Sequence, residues 1–248
     1  MTVDWANLAL AVLGLWFAGI VKGATGIGYA SCALPFLTAA VGLKQAIVLV
    51  VLPAMVSNIL VIFTTPHLRE TLQRFWLLYL ATLPGTVLGI ALLVWIDQRL
   101  STIALGLLII AYALFGLAQP SLSLRSSLER QLQFPVGLVN GFLTGLTGSQ
   151  VLPLVPYILA LHIDADRTVQ AINLAITITS AFLMVGLYQS GVMSLPSLGL
   201  SVVAILPAMA GIHVGTRARS FIPVQHFRTV VQIVLGLLGL VLVAKQLF

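Results

Sequence analysis

Between residues 168 and 216 the chain carries no Asp, Glu, Lys or Arg, and further charge-free runs include 5–21, 23–43, 75–96, 100–124, 131–163 and 229–244. This distribution of charge is the strongest constraint on the fold. A hydrocarbon core about 30 Å thick takes roughly 20 apolar residues per helical crossing. Inside it every backbone N–H and C=O must be satisfied by the segment itself, so the runs read as a series of membrane helices. The whole chain agrees: 60% of residues are hydrophobic and 7% charged, with a mean hydropathy of +1.11, values foreign to soluble domains. No stretch is left for a soluble domain. Residues 1–4 carry Asp4 and no Lys or Arg ahead of the first apolar run. They therefore lack the positive start of a cleaved signal peptide, and the first helix is expected to be retained.

Several function classes fall away. The net charge of +6 comes from basic residues in short segments between apolar runs, which is how a membrane protein sets its orientation, so nucleic acid is not an expected partner. Cys32 is the only cysteine; no Cys/His grouping has metal-ligand spacing, and no cofactor is expected. Neither H-E-x-x-H nor G-x-S-x-G occurs, and no pair of acidic residues falls in an apolar run, so an intramembrane enzyme is not indicated. The G-x-G at Gly26 and Gly28 is no dinucleotide fingerprint, lacking a preceding strand and a later acidic partner.

The chain repeats itself. Residues 19–26 read G-I-V-K-G-A-T-G and residues 141–148 read G-F-L-T-G-L-T-G, an offset of 122 residues; Leu83-Pro84 matches Leu206-Pro207, and Gly116-Leu117 matches Gly239-Leu240, at 123. Repeats of this length mark structural units. The pattern predicts helices at about 5–21, 28–42, 45–63, 75–96 and 100–118, then at about 134–146, 150–162, 168–188, 197–216 and 227–247. The expected organisation is one integral membrane domain: repeat 1 over 1–118, a polar cytoplasmic linker over 119–133 containing Pro120, Arg125, Glu129 and Arg130, and repeat 2 over 134–248.

Charge placement indicates that the halves are inverted. Arg69 and Arg74 follow the third helix of the first half, whereas the corresponding loop at 189–196 carries no charge. The next loop reverses the bias, with Asp97 and Arg99 against Arg217, Arg219 and Arg228. Placing Arg69, Arg74, Arg125, Arg130, Arg167, Arg217, Arg219 and Arg228 in the cytoplasm leaves only Lys44, Arg99 and Lys245 outside, with Lys22 undecided. The fold expected is all-α: a polytopic membrane protein of two inverted-topology repeats, each of about five hydrophobic segments with a Gly-broken helix pair near its start. Both termini are expected outside.

The chemistry is expected at the breaks. The run 131–163 is too long for one straight span and too short for two, and it holds Gly145, Gly148, Pro153 and Pro156. Its counterpart holds Gly23, Gly26, Gly28 and Pro35. Interrupted helices at matching places in two inverted halves are the pattern of a secondary transporter with a midplane site. Whether the broken pairs cross fully or re-enter is open. Glycine-flanked N–H groups at helix starts, with the hydroxyls of Thr25, Thr144, Thr147 and Ser149 and the amide of Gln150, suit a small anionic substrate. Lys22 precedes the first break and is the charged candidate, its alternative being to snorkel from a helix end to water. Asn58 joins the candidate set, although interhelical hydrogen bonding is the favoured reading of Asn58, Asn140 and Asn173. His213 reads as a packing residue.

Gly19 with Gly23, Gly85 with Gly89, Gly137 with Gly141 and Gly211 with Gly215 stand four apart, a spacing that lets helices approach; packing within the chain is the expected use, and a homodimer stays open. Asp4, Glu70, Asp97, Glu129, Asp164 and Asp166 all fall at termini or in expected loops, which gives a carboxylate proton relay no support. An inside-negative potential by itself drives an anion outward by about 2.3 kcal/mol per charge per 100 mV.

These motifs resemble the sulfite exporter TauE/SafE family, also called the toluene sulfonate uptake permease family. The resemblance rests on F-A-G-I-V-K-G-A-T-G-I-G at 17–28 followed by Leu34-Pro35, on G-F-L-T-G-L-T-G at 141–148, and on Leu-Pro near the start of later spans. It covers essentially the whole chain. It implies a multi-pass transporter of the bacterial cytoplasmic (inner) membrane, surrounded by lipid and carrying a small sulfur oxyanion or organosulfonate such as sulfite or sulfoacetate. Export is the expected direction; an importer of the same substrates and a non-transporting membrane scaffold are the alternatives. Ser149-Gln150 departs from the glycines with which the family often continues.

Overall fold

The computed structural model describes residues 4–64, 66–118, 122–219 and 224–247. Residues 1–3 of the expected retained start, and residues 119–121 of the expected linker with Pro120, lie outside the described residues. Among those described every element is a helix: α1 (Trp5–Thr25), α2 (Tyr29–Val41), α3 (Leu43–Thr64), α4 (Leu68–Trp95), α5 (Gln98–Ala118), α6 (Ser126–Thr147), α7 (Leu154–Leu159), α8 (Ala165–Gln189), α9 (Leu195–Val203), α10 (Ile205–Ala218) and α11 (Val224–Leu247). Among the described residues seven stretches are long and apolar enough to cross a membrane, α9 and α10 together counting as one. Outward-facing leucines and valines such as Leu13, Val87, Leu107 and Leu237 are exposed, as lipid contact requires.

Several boundaries differ from the expected ones, each for a local reason. Helix α1 starts at the cap formed by Asp4, whose carboxylate accepts from the Ala6 and Asn7 N–H groups, and continues past residue 21 to Thr25. It stops because Gly26 takes the left-handed conformation, φ 80°, and returns its N–H to the Lys22 carbonyl, a terminus for which glycine carries no steric penalty. Lys22 therefore lies inside the helix, in its last turn, and not beyond it. Helices α4 and α6 begin earlier than expected, at Leu68 and Ser126. A non-helical Phe75 divides the charged entry of α4 from its apolar span, and α6 absorbs residues 126–133 of the expected linker. Helix α7 keeps only six residues of the expected 150–162, since Pro153 and Pro156 have no N–H to offer a preceding turn. The expected span at 197–216 is interrupted at Ala204 between α9 and α10, where Pro207 cannot donate to the Val203 carbonyl. At 1.5 Å per residue α2 is about 20 Å long and α7 about 9 Å, so neither crosses a membrane alone.

The helices pack in pairs taken from opposite halves of the chain: α1 on α10, α4 on α6, α5 on α11, and α3 on α8. The four-residue glycine spacings make the first two pairings close. A methyl group on Gly19 or Gly23 would meet the backbone of Ala208 and Ile212, and one on Gly211 or Gly215 the carbonyls of Trp16 and Ile20. Gly85 and Gly89 likewise lie on α6 at Leu138 and Phe142, and Gly137, Gly141 and Gly145 on the carbonyls of Leu78, Thr82 and Thr86. These spacings serve packing within the chain, as expected. Between the pairs sit α2 and α7, carrying fully buried Leu34, Leu37, Leu154 and Ile158, so the two short helices are held at the centre.

Candidate functional site

The two breaks are built alike. At the first, the Thr25 hydroxyl donates to the Val21 carbonyl at 2.8 Å and accepts from the Ile27 N–H at 3.4 Å. At the second, the Thr147 hydroxyl donates to the Leu143 carbonyl at 2.7 Å and accepts from the Ser149 N–H at 3.2 Å. Each threonine is followed by a left-handed glycine, Gly26 at φ 80° and Gly148 at φ 76°. The breaks also meet: the hydroxyls of Ser31, in the first turn of α2, and Ser149 are 3.0 Å apart.

Beyond this shared frame the breaks diverge. Thr144 and Asn140 spend their polar groups inside the second break: Thr144 donates to the Asn140 carbonyl at 2.7 Å, and the Asn140 amide lies 3.2 Å from the carbonyls of both Gln150 and Leu152. Lys22, at the place matching Thr144, is 3% exposed, which excludes snorkelling to a helix end. Its ammonium donates to the side-chain oxygens of Asn58 on α3 and Asn173 on α8. Among the described residues it has no carboxylate partner. All six acidic residues sit at helix starts or caps or in the turn at Asp97.

Two spaces adjoin the first break. A vestibule of about 490 Å³ is walled by Thr25, Ile27, Gly28 and Cys32 at the break, by Tyr112 and Phe115 of α5, by Val169 and Ile172 of α8, and by Val231 and Leu235 of α11. Leu122, His162, Thr168 and Arg228 also line it, and all four flank interhelical loops. An inner cavity of about 10 Å³ touches Gly28, Tyr29, Ser31, Asn58 and Gln150. Gly28, at φ 86°, belongs to both walls, and a methyl group added there would meet nothing within 4 Å. Gln150 donates to the Ser180 hydroxyl at 2.9 Å. Among the described residues the Gln150 side-chain oxygen and the Tyr29 hydroxyl, both buried, have no hydrogen-bond partner.

The candidates named from the sequence therefore separate. Lys22, Asn58, Gly28, Ser149 and Gln150 come together around the inner cavity or the ammonium beside it, and Thr25 lines the vestibule. Gly26 and Gly148 are turn glycines. Thr144 and Thr147 are consumed in holding the second break. Gly23 and Gly145 lie at helix crossings, against Ile212 and Thr86, and do not present N–H groups to a cavity. Asn173, Ser31 and Ser180 were not singled out as site residues. Ser180 was nonetheless accessible, since it stands 122 residues after Asn58; Asn173 and Ser31 carry no comparable signal.

On the loop face, Arg74 of α4 forms a two-pronged pair with Glu129 of α6 at 2.6 and 2.9 Å, and Arg167 of α8 pairs with Glu70 of α4 and with Asp164. Hydrogen bonds from the Arg167 backbone and side chain hold the Asp164 carboxyl below the usual carboxylate range. The starts of α4, α6 and α8 are thereby gathered on one side.

The family model of the sulfite exporter TauE/SafE matches residues 10–242. No curated protein and no solved structure matches the chain.

Proposed function

This chain belongs to the sulfite exporter TauE/SafE family, a family of membrane transporters, and from that premise we propose that it exports a small sulfur oxyanion or organosulfonate by alternating access between two inverted halves. The observation that carries the reading is Lys22. An ammonium held within the membrane-spanning part of the chain is costly without a counter-charge, and Asn58 and Asn173 offer it only neutral oxygens. An oxyanion adds the charge–charge attraction that a neutral amide oxygen lacks, so a passing oxyanion completes what the amides leave unfinished. Asn58, Ser31, Ser149 and Gln150 then supply neutral hydrogen bonds around it.

The pairing of helices supports two halves related by a pseudo-two-fold axis. First packs on fourth, third on third and fifth on fifth, counting α9 and α10 together. The ion pairs at the starts of α4, α6 and α8 fit the assignment of those loops to the cytoplasm, with both termini outside. The vestibule, reaching Arg228 and His162, then opens inward, where an exported anion enters. With every carboxylate at a helix end or turn, the inside-negative potential is the driving force in this reading, worth about 2.3 kcal/mol per charge per 100 mV.

Efflux of sulfite and of sulfoacetate from loaded proteoliposomes tests this. The expected result is protein-dependent efflux that quickens under an inside-negative potential and disappears in Lys22→Ala. Efflux that survives in Lys22→Ala would overturn the site, and efflux indifferent to the potential would overturn the driving force.

A further inference from the structure

The route past Lys22 is shut in this conformation. The inner cavity of about 10 Å³ has room for about one water molecule, too little for any oxyanion, while the vestibule on the other side of the turn at 26–28 has about 490 Å³. An anion arriving from the vestibule can go no further until that turn moves.

Asn173 stands where the turn is held. Its side-chain nitrogen donates to the Gly26 carbonyl at 3.1 Å and, within its own helix, to the Val169 carbonyl at 2.7 Å. Its side-chain oxygen accepts from Lys22. One amide from the second half thus grips both the ammonium and the turn of the first half. The matching position, 122 residues earlier, is Val51, which can hold nothing by hydrogen bonds.

We propose that Asn173 is a positioning residue that couples occupancy of Lys22 to release of the turn at 26–28; the proposal rests on the reading of Lys22 as the anion's contact. Without an anion, Lys22 fixes the orientation of the Asn173 amide and the amide pins the Gly26 carbonyl. An oxyanion outcompetes a neutral amide oxygen for the ammonium. Asn173 then loses one of the contacts that orient it, its hold on Gly26 loosens, and the wall between vestibule and inner cavity opens. The protein's outward step is thereby conditional on a bound anion.

Cys32 reports on this directly. It is the chain's only cysteine, it is buried in the vestibule wall, and its N–H donates to the Gly28 carbonyl at 3.1 Å, one helical turn from the break. The experiment is the rate of Cys32 modification by N-ethylmaleimide in the full-length protein in detergent, with and without sulfoacetate, while calorimetry measures sulfoacetate binding. In the wild type, saturating sulfoacetate is expected to speed modification about fivefold, the factor one hydrogen bond of ordinary net worth controls. Asn173→Ala is expected to be fast without anion and to lose the response. Asn173→Asp, which keeps the shape and the acceptor for Lys22 but not the donor for Gly26, is expected to be fast as well and guards against misfolding of the alanine variant.

Wild-type rates in both Asn173 variants without anion would overturn the latch. Sulfoacetate that binds the wild type yet leaves modification unchanged or slower would overturn the coupling. Absence of sulfoacetate binding would instead overturn the underlying reading for this anion, and the anion-free rates would still decide the latch.

Discussion

The two breaks share a threonine, a left-handed glycine and the same pair of threonine hydrogen bonds, yet one is closed on itself and the other is held from outside. In the second, Asn140 and Thr144 of α6 tie down the carbonyls of Gln150, Leu152 and Ser149, so the segment satisfies its own unwound backbone. In the first, the Gly26 carbonyl is held by Asn173 from the other half, the charge at Lys22 is shared between two helices, and Gly28 faces a cavity on either side. An unwound segment in a membrane must have its polar groups paired. Supplying the partners from within makes a fixed strut; supplying them from an opposing element makes a part whose partners can change.

Six substitutions sharpen or break this contrast. Lys22→Met, which fills the space and removes the charge, should abolish transport while the protein still folds and inserts; in reconstituted vesicles Thr144→Val, at the matching position, should leave transport largely intact. Asn140→Ala should do its damage to stability, by about 1–3 kcal/mol for buried carbonyls left unpaired, read as a lower melting temperature with little change in substrate affinity. Gly148→Ala forces a side chain into the left-handed region, a penalty of about 1–2 kcal/mol, against Ile47 and Leu34. Gly28→Ala carries the same backbone strain in open space, so thermal unfolding should rank Gly148→Ala as the more destabilised and transport assays Gly28→Ala as the more impaired. Thr25→Val should have a small effect, slowing transport several-fold and lowering stability by about 1 kcal/mol through loss of its local hydrogen bonds with Val21 and Ile27.

Much of this was legible in the sequence because the repeat carries it. The 122-residue offset identified both breaks, and glycine spacing identified the helix crossings. The end of α1 was misplaced because a lysine in an apolar run is normally read as a helix end; Gly26, four residues on, is the physical stop. Gly23 and Gly145 carried two signals, adjacency to a break and a four-residue spacing from Gly19 and Gly141, and the spacing prevailed because backbone contact leaves no room for any other use. Asn173 was indistinguishable from an ordinary interhelical hydrogen bonder, since its partners Lys22 and Gly26 stand about 150 residues away and only the folded packing of the helices brings them together.

The most direct test of the central claim, that the ammonium of Lys22 holds the transported anion, is thermal unfolding of the detergent-purified wild type and Lys22→Met against sulfite and sulfoacetate. Ligand at 100 times its dissociation constant adds about 2.7 kcal/mol to stability. The expected result is a rise in melting temperature with at least one of these anions in the wild type and none in Lys22→Met. An equal rise in both proteins, or no rise in the wild type with either anion, would contradict the account.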